Sequence, residues 1–219
     1  MSKGFFITGT DTGVGKTVIT AALIKAAGAL GFRACGMKPI ETGCRKQKFE
    51  VQGSKFKVQN THAGPGTDNS TLDARNSELV PADGMFLREI ARMDDPIALV
   101  TPVRFENPLA PLPASEIEGV PVDLDKIRIA YSELAGKYDA VIIEGIGGIL
   151  VPIKKDYFVL DLAKAFALPV IVVSRPGLGT INHTILTVNY AIKEGIRIAG
   201  IIVNYGHPSE GTLAEDTNA

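Results

Sequence analysis

Gly4-Phe5-Phe6-Ile7-Thr8-Gly9-Thr10-Asp11-Thr12-Gly13-Val14-Gly15-Lys16-Thr17 stands almost at the start of the chain. A short apolar run ends in glycine, a glycine-rich turn follows, and Val18 to Leu30 continues as an alanine- and leucine-rich stretch closed by Gly31. That pattern is strand, loop and helix, with Gly31 at the helix C-terminus. Polyphosphate binding needs a glycine-rich turn whose N–H groups face the ligand, a lysine for the outer phosphates and a hydroxyl for Mg²⁺, all at a helix N-terminus. Every part is present between Gly9 and Thr17. The spacing is unusual, because five residues separate Gly9 from Gly15 where the standard phosphate loop has four. The plain alternative is a glycine-rich turn with a chance Gly-Lys-Thr, which a strand before and a helix after make the weaker reading.

The same alternation recurs outward from this unit. Phe32 to Ile40 reads as a second strand, Ala140 to Glu144 as a third, Pro169 to Ser174 as a fourth and Ile198 to Asn204 as a fifth. Val141-Ile142-Ile143 and Val170-Ile171-Val172-Val173 are continuously apolar, as buried parallel strands are. Helical patterns run over Asp123 to Tyr138, Asp156 to Leu168 and Thr180 to Gly195, the first capped by Asp123 and the last closed by Gly195. Strands alternating with helices imply a doubly wound α/β fold with a mainly parallel sheet, whose ligands sit at the C-terminal strand ends.

Two stretches break the rhythm. From Arg45 to Val80 the chain is polar, and within it Lys48-Phe49-Glu50-Val51 is echoed by Lys55-Phe56-Lys57-Val58 across Gln52-Gly53-Ser54, the alternation of a small hairpin. A functionless surface loop and a lid are both open readings of so long an excursion. The proline-rich segment from Thr101-Pro102 through Pro108, Pro111 and Pro113 is expected to be extended and non-helical, since each proline lacks an N–H and restricts its neighbour, and lining a site and merely connecting are both open readings of it.

A length of 219 residues implies one domain, or one with a sizeable excursion, at roughly 150 residues per domain. With 23 basic residues against 24 acidic ones the net charge is -1, so there is no general electrostatic pull on nucleic acid or anionic lipid. No apolar run approaches the roughly 20 residues that span a bilayer. The N-terminus lacks a signal-peptide pattern, which makes the cytoplasm the default compartment. Cys35 and Cys44 read as ordinary thiols, and His62, His183 and His207 share no metal-ligand spacing.

Several other residues are placed for chemistry. Lys38, in Met37-Lys38-Pro39-Ile40-Glu41-Thr42-Gly43, follows the second strand and would emerge at the same sheet edge as the phosphate loop, where a second ammonium stabilises charge on a transferring phosphoryl group. Glu144, at the end of the third strand, leads into Gly145-Ile146-Gly147-Gly148 and is placed to hold Mg²⁺ directly or through water. Asp83 opens a helical pattern over Met85 to Met93 and by itself reads as an N-cap. Asn204 ends the last strand, and Gly177-Leu178-Gly179-Thr180-Ile181-Asn182-His183 is a second glycine turn at a helix N-terminus, hence a second possible anion site.

Taken together and in this order, Gly9 to Thr17, Lys38 to Gly43, Glu144 to Gly148 and Gly177 to His183 resemble the dethiobiotin synthetases. The extra residue in the phosphate loop is a feature of that family. Resemblance runs from Lys3 to about Gly206, interrupted by the excursion. It implies a P-loop NTPase-like architecture in a single domain, 1–219, with a polar insert at 45–80. It further implies a homodimer that carboxylates 7,8-diaminononanoate with CO2, activates the carbamate with the γ-phosphate of ATP and closes a ureido ring. On that basis Gly13, Val14, Gly15, Lys16, Thr17 and Val18 would bind ATP, with Gly145, Ile146, Gly147, Asn204 and Tyr205 also on the nucleotide. Thr17, Asp83 and Glu144 would organise Mg²⁺, and Lys38 with Lys16 would be catalytic. Thr12 and Thr42 would lie near the diamine and carbamate. Leu178, Gly179 and Asn182 would receive the substrate carboxylate across the dimer interface. Relatives of this kind continue past the polar run Glu210 to Ala219 into a helix and a loop that touches adenine, so the expectation is either that the given chain is shortened or that nucleotide-base contacts are fewer here. The alternatives are a corrinoid amidoligase-like ATPase, for which a glutaminase domain is missing, and a partitioning-type switch ATPase. The latter carries an early second lysine where Thr10 and Asp11 stand.

Overall fold

A computed structural model describes residues 3–48 and 77–206. In chain order it begins with β1 (Lys3–Gly9), α1 (Lys16–Ala29), β2 (Ala34–Met37), β3 (Ile40–Glu41), β4 (Arg45–Lys48) and β5 (Ser77–Val80). Then come α2 (Ala82–Ile90), α3 (Ile97–Val100), β6 (Val103–Arg104), α4 (Pro111–Glu118), α5 (Leu124–Lys137) and β7 (Ala140–Gly148). The last part holds β8 (Pro152–Lys154), β9 (Tyr157–Phe158), α6 (Val159–Phe166), β10 (Val170–Ser174), α7 (Thr180–Lys193) and β11 (Ile198–Val203).

Five strands pair in parallel in the order β11-β10-β1-β7-β2, the doubly wound sheet expected from the alternation. Each strand sends alternate side chains to opposite layers. Phe6, Val141, Ile143, Val170 and Val172 pack on α5 and α6, whereas Ile7, Ile142, Ile171 and Val173 share the other layer with Ala21 and Ile24 of α1 and Leu87 of α2. The helices that follow β1 and β7 therefore leave on opposite faces. Adjacent strands whose connections part in this way open a crevice at their carboxyl ends. Cys35 and Cys44 are free and buried, and burial pushes both thiols up to about 12, which keeps them protonated. No helix among the described residues is long and apolar enough to cross a membrane.

Five local expectations need correction. The strand expected over Phe32 to Ile40 is broken at Lys38-Pro39: the Lys38 N–H turns to the Val100 carbonyl at 2.8 Å, and β3 pairs with β6 instead. Glu144 does not end its strand, because β7 continues to Gly148 past an irregularity opposite Ile7 to Gly9. The helix expected from Asp156 begins only at Val159; Tyr157 and Phe158 pair with β8, and the Asp161 carboxylate accepts the Phe158 N–H at 2.8 Å. The proline segment is not wholly extended, since Pro111 and Pro113 sit in the first turn of α4, where a missing N–H breaks no intrahelical bond. Asp83 is not the N-cap of α2, a position held by Pro81. The hairpin expected over Lys48 to Val58 lies, beyond Lys48, outside the described residues. What the structure does show is β4 paired antiparallel with β5, closing the base of the excursion.

Candidate active site

Between β1 and α1 the loop turns back under the helix N-terminus. Gly15 precedes α1 at φ 92°, a left-handed conformation that side chains resist, and a Cβ there would stand 2.0 Å from the Asn204 amide. No side chain caps α1, so its first N–H groups face the loop. Lys16 is buried and its ammonium donates to the Asp11 carbonyl at 3.0 Å, curling the loop around it. Burial, and then the nearby Lys38 charge, lower the Lys16 pKa to about 8. Val14 is anchored in the core, and its carbonyl accepts from the Asn204 side chain at 3.0 Å. Asn204 thereby braces the phosphate loop from the end of β11, with half-exposed Tyr205 beside it.

Lys38 comes from the break after β2, and only 4% of it is exposed. Its ammonium donates to Glu144 Oε1 at 2.5 Å and to Asp83 Oδ2 at 3.0 Å. Burial alone would lower its pKa, yet the two carboxylates outweigh burial and hold it above the ordinary lysine value. The Thr17 hydroxyl donates to the same Glu144 oxygen at 2.9 Å. Three elements, α1, β7 and α2, are thus drawn to one lysine.

A cavity of about 660 Å³ opens above these groups at the C-terminal sheet edge. Thr12, Gly13, Gly15, Lys16, Thr17 and Val18 line its loop side. Lys38, Thr42, Asp83 and Glu144 line the opposite wall, and Ile146 and Gly147 the floor beyond. Gly145 is not on that lining; it packs against Phe6, where a Cβ would meet the ring at 3.0 Å. Leu178, Gly179 and Asn182 are not on it either. They surround the N-terminus of α7, where Leu178 is 91% exposed.

A profile described as an AAA domain matches residues 3–217. The ATP-dependent dethiobiotin synthetase of Thermodesulfovibrio yellowstonii is 41% identical over 225 residues, an alignment covering 100% of this chain and 82% of the relative. Those of Anaeromyxobacter dehalogenans and Methanocaldococcus jannaschii are 39% and 37% identical over 95% and 91% of this chain and 79% and 78% of their own. The chain belongs to the dethiobiotin synthetase family. Neither the switch-ATPase nor the amidoligase alternative is favoured by relatives that match nearly end to end.

For a dethiobiotin synthetase, the donor set suits a hard cation. Among the described residues no group of three or more His, Cys, Asp or Glu side chains could cage a metal by itself. Two carboxylates and a hydroxyl do converge, and buried Glu144 Oε2 has no hydrogen-bond partner among the described residues. Mg²⁺ is commonly bound in this manner, by one or two carboxylates with substrate phosphates completing the shell.

Two features of the site were not fixed by residue type alone. Pro108, Leu109 and Ala110, between β6 and α4, form an apolar wall of the cavity. Lining a site and merely connecting were both open readings of this proline-rich segment, and the tertiary fold decides for the first. Glu41 also lines the cavity, and it accepts the N–H groups of Asp83 and Gly84 at 3.0 and 2.9 Å. One signal existed for it: Pro81 has no side chain able to cap the helix it precedes.

Proposed function

We propose that this chain is an ATP-dependent dethiobiotin synthetase acting on 7,8-diaminononanoate and CO2, and that it works as a homodimer. One amine would attack CO2 to give a carbamate, losing a proton. A carbamate oxygen would take the γ-phosphoryl group from ATP and release ADP. Attack by the second amine on the activated carbonyl would then expel phosphate and close the ring. Each intermediate is an anion, and none needs a protein nucleophile.

The observation that carries this reading is the meeting of two buried ammonium groups, Lys16 and Lys38, in one cavity lined otherwise by the carboxylates Glu41, Asp83 and Glu144, by hydroxyls and by apolar side chains. Such a site stabilises developing negative charge in place of water. Lys16 would meet the ATP phosphates and Lys38 the carbamate and its mixed anhydride. Thr12 and Thr42 would orient the diamine. Thr17, Asp83 and Glu144 would hold Mg²⁺, which neutralises phosphate charge when bound. Asn204 and Tyr205 are our candidates for the base. Support for the dimer comes from α7, whose Ile181, Ile185, Leu186, Tyr190 and Ile192 are exposed. In the dimer, Leu178, Gly179 and Asn182 would serve the partner's cavity by binding the substrate carboxylate at a helix N-terminus.

The test measures phosphate release from Mg·ATP with 7,8-diaminononanoate and bicarbonate added singly and together. Release is expected only with both. Release indifferent to the diamine would overturn the assignment.

A further inference from the structure

Glu41 is a buried carboxylate that the reaction above does not use, with 6% of its surface exposed. Its Oε1 accepts the Asp83 N–H at 3.0 Å and its Oε2 accepts the Gly84 N–H at 2.9 Å. An α-helix leaves its first four N–H groups without intrahelical partners. With Pro81 ahead of it, α2 has no side-chain cap of its own, so a residue more than forty positions earlier in the chain supplies one. An anion is also the right charge for a helix N-terminus. The turn is held from a second side: a Cβ on Gly84 would stand 1.9 Å from Thr101 Oγ1, so that face admits no movement towards Thr101.

What this turn carries is Asp83, whose carboxylate meets Lys38, which in turn meets Glu144. Glu41 lies three residues past Lys38 and one before Thr42. A single carboxylate thus ties the Lys38 segment to the helix bearing Asp83, across the base of the polar excursion between β4 and β5. Glutamine would fit the space but accept only through one oxygen, since its amide nitrogen is a donor facing another donor.

We propose that Glu41 is a positioning residue for ring closure, setting the distance between Asp83 and Lys38 rather than touching the reacting atoms. This inference rests on the function proposed above. Geometric errors of about 1 Å at a reacting centre cost on the order of a hundredfold in rate, so the pair should be sensitive to its loss.

The experiment compares Glu41→Gln and Glu41→Asp with the wild type in the full chain. It records the melting temperature, metal-free ATP affinity, kcat and KM for the diamine, and the Mg²⁺ concentration at half-maximal rate. For folded Glu41→Gln, kcat is expected to fall by about tenfold or more and the Mg²⁺ requirement to rise, while metal-free ATP affinity stays near wild type. Glu41→Asp, which keeps the charge on a shorter arm, should recover part of kcat. A lower melting temperature with wild-type kcat and Mg²⁺ dependence would reduce Glu41 to a helix cap and overturn the proposal. Should the glutamine variant not fold, wild-type kcat and Mg²⁺ dependence in Glu41→Asp would overturn it, and a partial loss of both would sustain it. A wild type whose phosphate release ignores the diamine removes the functional reading itself, whereas a diamine-dependent wild type beside an unaffected variant removes only the role of Glu41.

Discussion

Lys38 binds two carboxylates at once, and those carboxylates are the ones proposed to take Mg²⁺. Nearly complete burial makes its charge costly unless it is paired, and breaking such a pair leaves an uncompensated ion. In the ligand-free protein, lysine and the proposed metal would therefore compete for Glu144 and Asp83. A divalent cation on the carboxylates would free the ammonium to face the cavity, where the proposed carbamate would need it. Lys38→Ala should lower turnover by about tenfold or more, or about 1.4 kcal/mol of barrier, while ATP binding largely survives. The same substitution should tighten nucleotide-free binding of Mn²⁺, followed by electron paramagnetic resonance as a stand-in for Mg²⁺. Unchanged or weaker Mn²⁺ binding would show that lysine and metal do not compete, and lost ATP affinity with intact single-turnover chemistry would move Lys38 to the nucleotide.

At the scale of elements, α5 is fastened at both ends. Asp123 caps its start by accepting the Lys126 N–H at 2.9 Å. At its far end the Tyr138 hydroxyl and the Lys137 ammonium donate to buried Asp95 at 2.5 and 3.0 Å, tying α5 to the turn between α2 and α3. Burial alone would raise the Asp95 pKa, but these two hydrogen bonds outweigh it and hold the carboxyl below its ordinary value. A depressed carboxyl contributes stability that is present above the unfolded value of about 3.9 and is lost as pH falls through the folded value. Tyr138→Phe should thus cost about 1 kcal/mol at pH 7, and the difference from wild type should shrink as pH drops below the unfolded value of about 3.9 and through the lower folded one. Urea unfolding of both proteins across that range checks this; a difference independent of pH would mean that the tyrosine contributes packing alone.

Elements of this length were legible because their signals are local. Val141-Ile142-Ile143 and Asp123 with its following helix declare themselves within a few residues, and so does the loop from Gly9 to Thr17, where the site is a contiguous piece of sequence. Strands of two or three residues such as β3, β6, β8 and β9 are too short to show a period. Prolines that ordinarily stop a helix start one at α4, since position within the helix, not residue type, decides the cost. Asp83 was legible only through resemblance, and for Glu41 the one signal was indirect, a helix start behind Pro81 that has no cap of its own. The bonds of Glu41 run to backbone N–H groups on the far side of the excursion, and backbone leaves no trace in residue identity.

Across the whole molecule, the cavity occupies the crevice where β1 and β7 send their chains to opposite faces, while the second helix N-terminus, at α7, stands apart from it. Leu178, Gly179 and Asn182 do not line the cavity of their own chain, so in the proposed dimer they would serve substrate in the second copy. The surface around them fits that arrangement. Ile181, Ile185 and Ile192 lie along one flank of α7 and Leu186 and Tyr190 along the other, all exposed, with Leu150 exposed nearby against Leu186 and Tyr190. Exposed apolar side chains in this number would suit the interface of the proposed dimer, and replacing a central apolar anchor costs more than about 2 kcal/mol at a hot spot. Ile185→Glu should raise the dimer dissociation constant by about thirtyfold or more. Its dethiobiotin synthesis should then depend on dilution and return at high protein concentration, while metal-free ATP affinity stays at the wild-type value because the phosphate loop is complete within one chain. Sedimentation velocity beside activity at each concentration reads both quantities. Wild-type protein that sediments as a monomer at micromolar concentration with full activity would remove the partner from the site.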